Sequence, residues 1–393
     1  MLTLAGAALV AASGVGLIQN RPKAIIRKQL VRYFRSCKLP EVSVRRITRH
    51  GATYAVRITL PYGVTVEKFQ SHLPGMEQAV AAPIKLKHVF GATCELTLGY
   101  APFFEKVSYT DRLPRNGLTV PLMTPFGTRF LDFSDETCCH LLTGGATRMG
   151  KSALIRLIAT HLTLSLDGNL QIKMINNKVT DLYMFRGVPH IEVAETDREA
   201  LAVLEQALDE AKRRKSLLKS KKNVVDAKQF RQRYPDEKME PVFIIIDEYG
   251  RFADNKAIQN AVTELAETAG YLDIHLIISS QRPDAKDVLK PRIKANILTR
   301  IAFSTTDETN SMIILDSPEA AHLGKIQGRA YLLDGFLEKV QVPYMSPEQV
   351  VTLLEPYRKE EGTEDDAPRS EDIEAPEALP SFISGSTGFT DLS

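Results

Sequence analysis

The chain has 393 residues, too many for one ordinary hydrophobic core, so two or three domains are expected. Hydrophobic residues make up 44% of the chain and charged residues 25%, which excludes collagen-like, coiled-coil and wholly disordered classes. The four cysteines show no CxxC or Cys/His ligand spacing, which excludes a disulfide scaffold and a cysteine-rich zinc module.

Charge is distributed unevenly along the chain. Residues 360–393 hold ten acidic residues against one arginine, so the net charge of +2 divides into a tail of −9 and a body of +11. Two blocks, residues 21–49 and 211–233, contain ten Lys or Arg each. Such blocks are usually solvated faces, but beside an acidic tail they favour a polyanionic partner.

The start of the chain predicts a membrane anchor over residues 1–20. Residues 2–18 are uncharged and largely apolar, near the lower length limit for a spanning helix. Basic residues follow this stretch in the segment 21–40, which places the body in the cytoplasm of a single-pass cell-membrane protein. The alternatives are a cytoplasmic protein whose first helix packs against protein, and a basic segment lying on an anionic membrane surface.

Residues 41–115 predict a small α+β domain. Apolar and polar residues alternate over residues 54–60, as in a strand, and residues 84–87 and 94–98 predict two more strands. Residues 66–80 predict a helix between them.

Residues 116–356 predict an α/β domain with a mostly parallel sheet, because strand-like and helical segments alternate. The predicted strands are residues 138–143, 171–175, 242–246, 274–280 and 300–304, and the predicted helices are 151–166, 197–222, 256–270 and 285–294. Residues 357–393 are too polar to bury a core and predict a disordered acidic tail.

A complete phosphate-loop motif, G-x-x-x-x-G-K-[ST], joins the first of these strands to the first helix. Its residues are Gly145, Ala146, Thr147, Arg148, Met149, Gly150, Lys151 and Ser152. Backbone N–H groups of such a loop bind the phosphates of ATP, the lysine reaches the β- and γ-phosphates, and the serine ligates Mg²⁺.

Two carboxylates follow the apolar strand 242–246. Asp247 is expected to hold Mg²⁺, and Glu248 to orient or deprotonate the attacking water, because ligands collect at the carboxyl ends of parallel strands. Gln281 follows the strand 274–280, from which it is expected to sense the γ-phosphate. The alternatives are a helix-cap role for one carboxylate and a surface turn for the glutamine.

Residues 40–345 resemble the FtsK/SpoIIIE DNA translocases, part of the FtsK/HerA group of RecA-like P-loop motors. The resemblance lies in the flanks of the phosphate loop and in the stretches 178–190, 209–218, 247–249, 274–283, 294–303, 314–316 and 328–330. The small domain then resembles the subdomain that stacks on the motor ring.

The sequence departs from that family at two points that bear on the site. Asn176-Asn177-Lys178 stands where the family usually has Asp-Pro-Lys, and Gly270 stands where it usually has an arginine that acts on the neighbouring subunit's nucleotide. We expect another arginine to take over this role, with Arg300 ranked first and then Arg251 and Arg329. The alternative for Arg300 is a structural salt bridge.

The resemblance implies an ATP- and Mg²⁺-dependent DNA translocase, a hexameric ring with DNA in its channel. The basic helix 212–222 is expected to contact DNA or to form a solvated face. The compact layout resembles coupling proteins of conjugative elements, which work with a relaxase and a transfer channel. The alternatives are a plasmid or phage motor for DNA segregation, replication or packaging, and a membrane recruitment adaptor switched by ATP.

Overall fold

The computed structural model describes residues 23–39, 41–100, 106–176, 182–280 and 291–358. The predicted anchor at residues 1–20, the acidic tail from residue 359 onward, and Gln281 therefore lie outside the described residues. No helix among those described ranges is both long and apolar enough to cross a membrane.

The small domain is a four-stranded antiparallel sheet in the order β1-β2-β4-β3, with three helices. Its strands are β1 (Ser43–His50), β2 (Thr53–Thr59), β3 (Ile84–Phe90) and β4 (Thr93–Gly99). Its helices are α1 (Lys23–Ser36), α2 (Val66–Gln70) and α3 (Leu73–Val80). The single helix predicted over residues 66–80 is thus two helices, and Pro74 in the first turn of α3 marks the new start.

Helix α1 belongs to this small domain. Ile26, Leu30 and Phe34 repeat at helical spacing and are buried in the same core as the sheet. The Arg27 guanidinium donates to the Val44 carbonyl on β1 at 2.7 Å. The apolar face of this basic segment is therefore covered by protein, so the expectation that it lies on a membrane surface through that face is wrong.

The large domain contains a ten-stranded sheet in the order β6-β5-β14-β13-β12-β7-β11-β10-β8-β9. The strands are β5 (Thr119–Thr124), β6 (Gly127–Asp132), β7 (Leu141–Gly144), β8 (Gln171–Ile175), β9 (Ile191–Ala194), β10 (Val242–Ile246), β11 (Ile274–Ser280), β12 (Thr299–Phe303), β13 (Arg329–Asp334) and β14 (Phe336–Gln341). The six strands from β12 to β9 run parallel, and the four from β13 to β6 extend the sheet antiparallel. This confirms the predicted α/β class.

Helices cover both faces of this sheet. They are α4 (Lys151–Leu166), α5 (Asp197–Ser220), α6 (Ala227–Arg233), α7 (Lys256–Thr268), α8 (Pro291–Asn296), α9 (Glu308–Leu315) and α10 (Pro347–Leu354). Short 3₁₀ turns occur at Tyr183–Phe185, Tyr249–Phe252, Gly270–Leu272, Glu319–His322 and Glu355–Tyr357. Two apolar clusters, one on each face, sandwich the fully buried strands β10 and β11, as expected of a doubly covered parallel sheet.

Candidate nucleotide site

The phosphate loop connects the end of β7 to the start of α4. Gly145 and Gly150 have φ angles of 140° and 132°, which L side chains rarely adopt. A Cβ on Gly145 would lie 2.8 Å from Phe303 Cβ, and one on Gly150 would lie 3.0 Å from the backbone of Gly328. Both glycines are therefore required by backbone conformation and by close packing.

Lys151 is buried, with 6% of its surface exposed. Its ammonium group donates to the carbonyl oxygens of Gly145 at 2.5 Å and Ala146 at 3.2 Å. Lys151 therefore does not face solvent, because the loop's own carbonyls hold its charge. Phosphate oxygens would have to replace those carbonyls as acceptors, so the lysine closes the loop before any nucleotide binds.

The acidic pair follows β10, and β11 lies between β10 and β7 as the sequence indicated. Asp247 is half-buried, and its backbone N–H donates to the Ile175 carbonyl at 3.0 Å. The Asn176 amide, which is 3% exposed, donates to Asp247 Oδ2 at 3.2 Å. Asn176 stands where the family usually has the aspartate of Asp-Pro-Lys, and it provides an amide donor to Asp247. An aspartate at this position would repel Asp247.

Glu248 adopts the left-handed conformation, with φ 58° and ψ 55°. A non-glycine residue in this region costs free energy and is held there by its surroundings. Tyr249, which follows, is buried at 1% exposure, and burial raises the pKa of its hydroxyl. The buried side chain of Tyr249 anchors the chain immediately after this left-handed residue.

Arg300 is buried and bonded within its own chain. It is 7% exposed, and its guanidinium donates to the backbone carbonyls of Ile297 at 2.9 Å and Lys294 at 3.1 Å. It also forms an ion pair with Asp316 at 2.5 Å. The structure shows the salt bridge that the sequence left as the alternative, and the role of Arg300 on a neighbouring subunit's nucleotide stays a prediction.

The two lower-ranked arginines are also engaged within the chain. Arg251 pairs with Asp197 at 2.5 Å at the protein surface, where its side chain is 20% exposed. Arg329 is 8% exposed and donates to the Gln341 side chain at 2.8 Å. Of the three, Arg251 has the most accessible side chain.

The basic helix is only partly available to DNA. Arg214 is 2% exposed and donates to the carbonyls of Leu272 and Glu240 at 2.9 and 2.7 Å, so it ties α5 to the sheet. Glu210 binds Arg214 and its neighbour Arg213, each at 2.7 Å. This part of the helix is structural, which corrects the expectation that the whole basic stretch faces DNA.

A cavity of about 950 Å³ opens beside the phosphate loop, of the size that holds nucleotide-like ligands. Its lining residues are Lys106, Val107, Thr147, Arg148, Gly150, Lys151, Ser152, Ala153, Arg156, Lys325, Ile326, Gln327, Gly328, Gln341, Val342 and Tyr344. The sequence located the loop, but it gave no sign of the walls contributed by residues 325–328 and 341–344.

The parallel sheet, the phosphate loop and the carboxylates after β10 together define a P-loop ATPase domain. The FtsK/SpoIIIE family model matches residues 114–325, more than half of the chain. The protein belongs to the FtsK/SpoIIIE family.

Curated relatives agree with this assignment. The chain is 28% identical over 340 residues to the DNA translocase FtsK of Streptococcus agalactiae, covering 80% of this chain and 41% of the relative. It is 34% identical over 189 residues to the DNA translocase FtsK of Caldanaerobacter subterraneus, covering 47% of this chain and 26% of the relative. The chain thus spans less than half the length of these relatives.

Solved structures share the fold. The pCW3 conjugation coupling protein TcpA, in its monomer form with ATPγS, matches with a TM-score of 0.58 at 19% identity, over 84% of this chain and 99% of that one. The cytoplasmic domain of the type VII secretion ATPase EccC from Thermomonospora curvata matches with a TM-score of 0.53 at 20% identity, over 66% of this chain and 33% of that one.

Proposed function

We propose that this protein is an ATP-driven DNA translocase that assembles as a hexameric ring and acts as a coupling protein in conjugative DNA transfer. The observation that carries the proposal is a complete phosphate loop after β7 and the pair Asp247 and Glu248 after β10, at the same carboxyl edge of the parallel sheet, in a chain whose relatives are named DNA translocases. The body charge of +11 supports contact with the DNA backbone, which requires charge rather than base recognition. A relaxase and a transfer channel would be its partners in that setting.

The side chains at the loop fit ATP and Mg²⁺. Ser152 and Asp247 offer oxygen ligands, which Mg²⁺ prefers, and Asn176 fixes one oxygen of Asp247. Phosphate oxygens of the nucleotide would complete the coordination. When bound, Mg²⁺ neutralises charge that develops on the phosphates.

The chain's own residues account for binding and water activation. Lys151 exchanges its two carbonyl acceptors for phosphate oxygens, so binding does not require a new charge to be desolvated. Glu248, at the carboxyl end of β10, accepts a proton from the attacking water or orients it. Of the three arginines ranked from the sequence, we propose Arg251 as the source of the positive charge supplied by a neighbouring subunit, because its side chain is the most accessible.

DNA-stimulated ATP hydrolysis tests the proposal against the adaptor alternative. We expect hydrolysis by the purified full-length chain to rise severalfold when double- or single-stranded DNA is added. A protein that uses ATP only to switch partner binding would turn over slowly, and DNA would not change its rate. The Glu248→Gln variant provides the matched control for contaminating ATPases.

We also propose that residues 1–20 anchor the protein in the cell membrane with the motor in the cytoplasm. The support is the apolar stretch followed by basic residues in the sequence. Membranes from cells expressing the full chain and a chain starting at residue 21 should be washed with carbonate. Full-length protein that leaves the membrane in the wash would contradict the anchor.

A further inference from the structure

Part of the wall of the nucleotide cavity is formed by residues outside the phosphate loop. Arg156 lies five residues after Lys151 on α4, roughly one and a half turns further along the helix. It lines the same cavity as the loop, together with Lys106 and Tyr344. This wall therefore adjoins the phosphate-binding residues at the start of α4.

Two cations flank the ring of Tyr344. The Lys106 ammonium lies 5.0 Å from the ring centroid, and the guanidinium carbon of Arg156 lies 5.7 Å from it. These distances fall within the range of cation–π attraction, which holds a planar guanidinium against an aromatic ring. Tyr344 thus fixes the position of the Arg156 guanidinium at the cavity wall.

Arg156 Nε is buried and has no hydrogen-bond partner among the residues that the structure describes. A buried N–H of a charged group that lacks an acceptor is costly, and most native structures avoid it. This N–H belongs to a side chain at the wall of a ligand cavity. Because Nε itself is enclosed by protein, the part of Arg156 that can meet a ligand is the end of the guanidinium, which lines the cavity.

Backbone hydrogen bonds fix this wall relative to the phosphate loop. The N–H of Gly328 donates to the Met149 carbonyl at 2.8 Å, and the N–H of Val342 donates to the Gly328 carbonyl at 2.8 Å. The N–H of Tyr344 donates to the Val107 carbonyl at 2.7 Å. The distance between the phosphate loop and this wall is therefore fixed for any ligand that the loop holds.

We propose that Arg156, positioned by Tyr344, binds the purine base of the nucleotide. The planar guanidinium packs against the Tyr344 ring and stacks on the base from the cavity side. The assignment rests on the proposed function, because it takes the phosphates of the same nucleotide to occupy the loop. Pyrimidines offer a smaller ring for stacking, so ATP and GTP bind more tightly than CTP and UTP.

Competition binding without Mg²⁺ tests the assignment. A fluorescent ADP analogue is displaced from the full-length chain by ATP, by CTP and by inorganic tripolyphosphate, which has no base. The variants are Arg156→Ala, Arg156→Lys, which keeps the charge but loses the planar group, and Arg198→Ala, an exposed arginine on α5 outside the cavity lining. Thermal unfolding establishes that each variant is folded, and Arg156→Lys preserves most of the side-chain volume.

We expect both Arg156 variants to lose about tenfold in affinity for ATP, the size of a desolvated cation–π contact, while tripolyphosphate binding is unchanged. The preference of the protein for ATP over CTP should decrease together with the affinity for ATP. Arg198→Ala should bind all three ligands like wild type. Equal losses for ATP, CTP and tripolyphosphate would assign Arg156 to the phosphates and overturn the proposal, as would unchanged ATP binding. Wild-type protein that binds no ATP would instead contradict the proposed function itself.

Discussion

Replacing Arg300 with alanine tests whether this side chain holds the fold or acts on a nucleotide. Its hydrogen bonds to the Ile297 and Lys294 carbonyls, at 2.9 and 3.1 Å, are well formed, whereas the contact with Ile314 at 3.5 Å is weak. Each buried carbonyl left without a donor costs about 1–3 kcal/mol. The ion pair with Asp316 adds little, because that carboxylate is 63% exposed.

The expected loss in the free energy of unfolding is therefore about 3 kcal/mol, counting two carbonyls at about 1.5 kcal/mol each, in the lower half of that range because the Lys294 carbonyl is only partly buried. Such a loss lowers the melting temperature by roughly 6–12 °C in a domain of this size. Urea unfolding of wild type and Arg300→Ala measures it. Asp316→Asn is the matched control, and we expect it to cost under about 1 kcal/mol.

The reasoning would be refuted by a variant that unfolds like wild type yet hydrolyses no ATP. If mixing that Arg300→Ala protein with Lys151→Ala protein also restored hydrolysis, Arg300 would act across the subunit interface. The same mixing experiment with Arg251→Ala examines the remaining candidate with an accessible side chain.

Lys151→Ala should abolish ATP hydrolysis and also weaken binding of ADP, because the loop loses the charge that its carbonyls hold; titration with ADP measures this. Glu248→Gln should bind ATP but turn over very slowly, and turnover within about twofold of wild type would remove Glu248 from the mechanism. Burial lowers the pKa of His140 to about 3 and of His275 to about 4, so the unfolded chain takes up protons first below about pH 6.5. Stability should then fall with decreasing pH by about 1.4 kcal/mol per unit for each histidine, and His140→Gln should reduce the slope in urea unfolding measured from pH 7.5 to 5. Removing residues 360–393 should tighten nonspecific DNA binding at low salt, because the acidic tail competes with DNA for the basic surface. Identical DNA affinities of the full-length and truncated chains at every salt concentration would leave the tail only a role in docking a partner.

Sequence periodicity predicts the buried parallel strands of the large sheet but not the antiparallel strands at its edge. Strands β8, β10 and β11 lie where the apolar runs predicted them, because a strand covered on both faces is apolar throughout. Strand β5 contains Pro121, which argues against a strand, so the sequence does not predict its hairpin with β6.

In the small domain, β1 was missed for a physical reason. Its register with β2 shifts between Val44 and Arg46, which breaks the alternation of buried and exposed residues. The strand is also rich in arginine, so its sequence resembles a solvated segment.

At the site, local motifs predicted the loop and the acidic pair, whereas long-range contacts had to come from the structure. The hydrogen bond from Asn176 to Asp247 joins residues 71 positions apart. The partners of Arg300 lie beyond its own strand, and a basic residue in a matching motif gives no sign that its guanidinium is buried.

The most direct test of the central claim is movement along DNA. A triplex-forming oligonucleotide bound to a linear duplex reports the passage of a translocase by its release, and it is followed by fluorescence. We predict release by the full-length chain that requires ATP and a free duplex length, and none with Glu248→Gln. Strong DNA-stimulated ATP hydrolysis without release from any single- or double-stranded substrate would contradict translocation and leave an ATPase that binds DNA without moving.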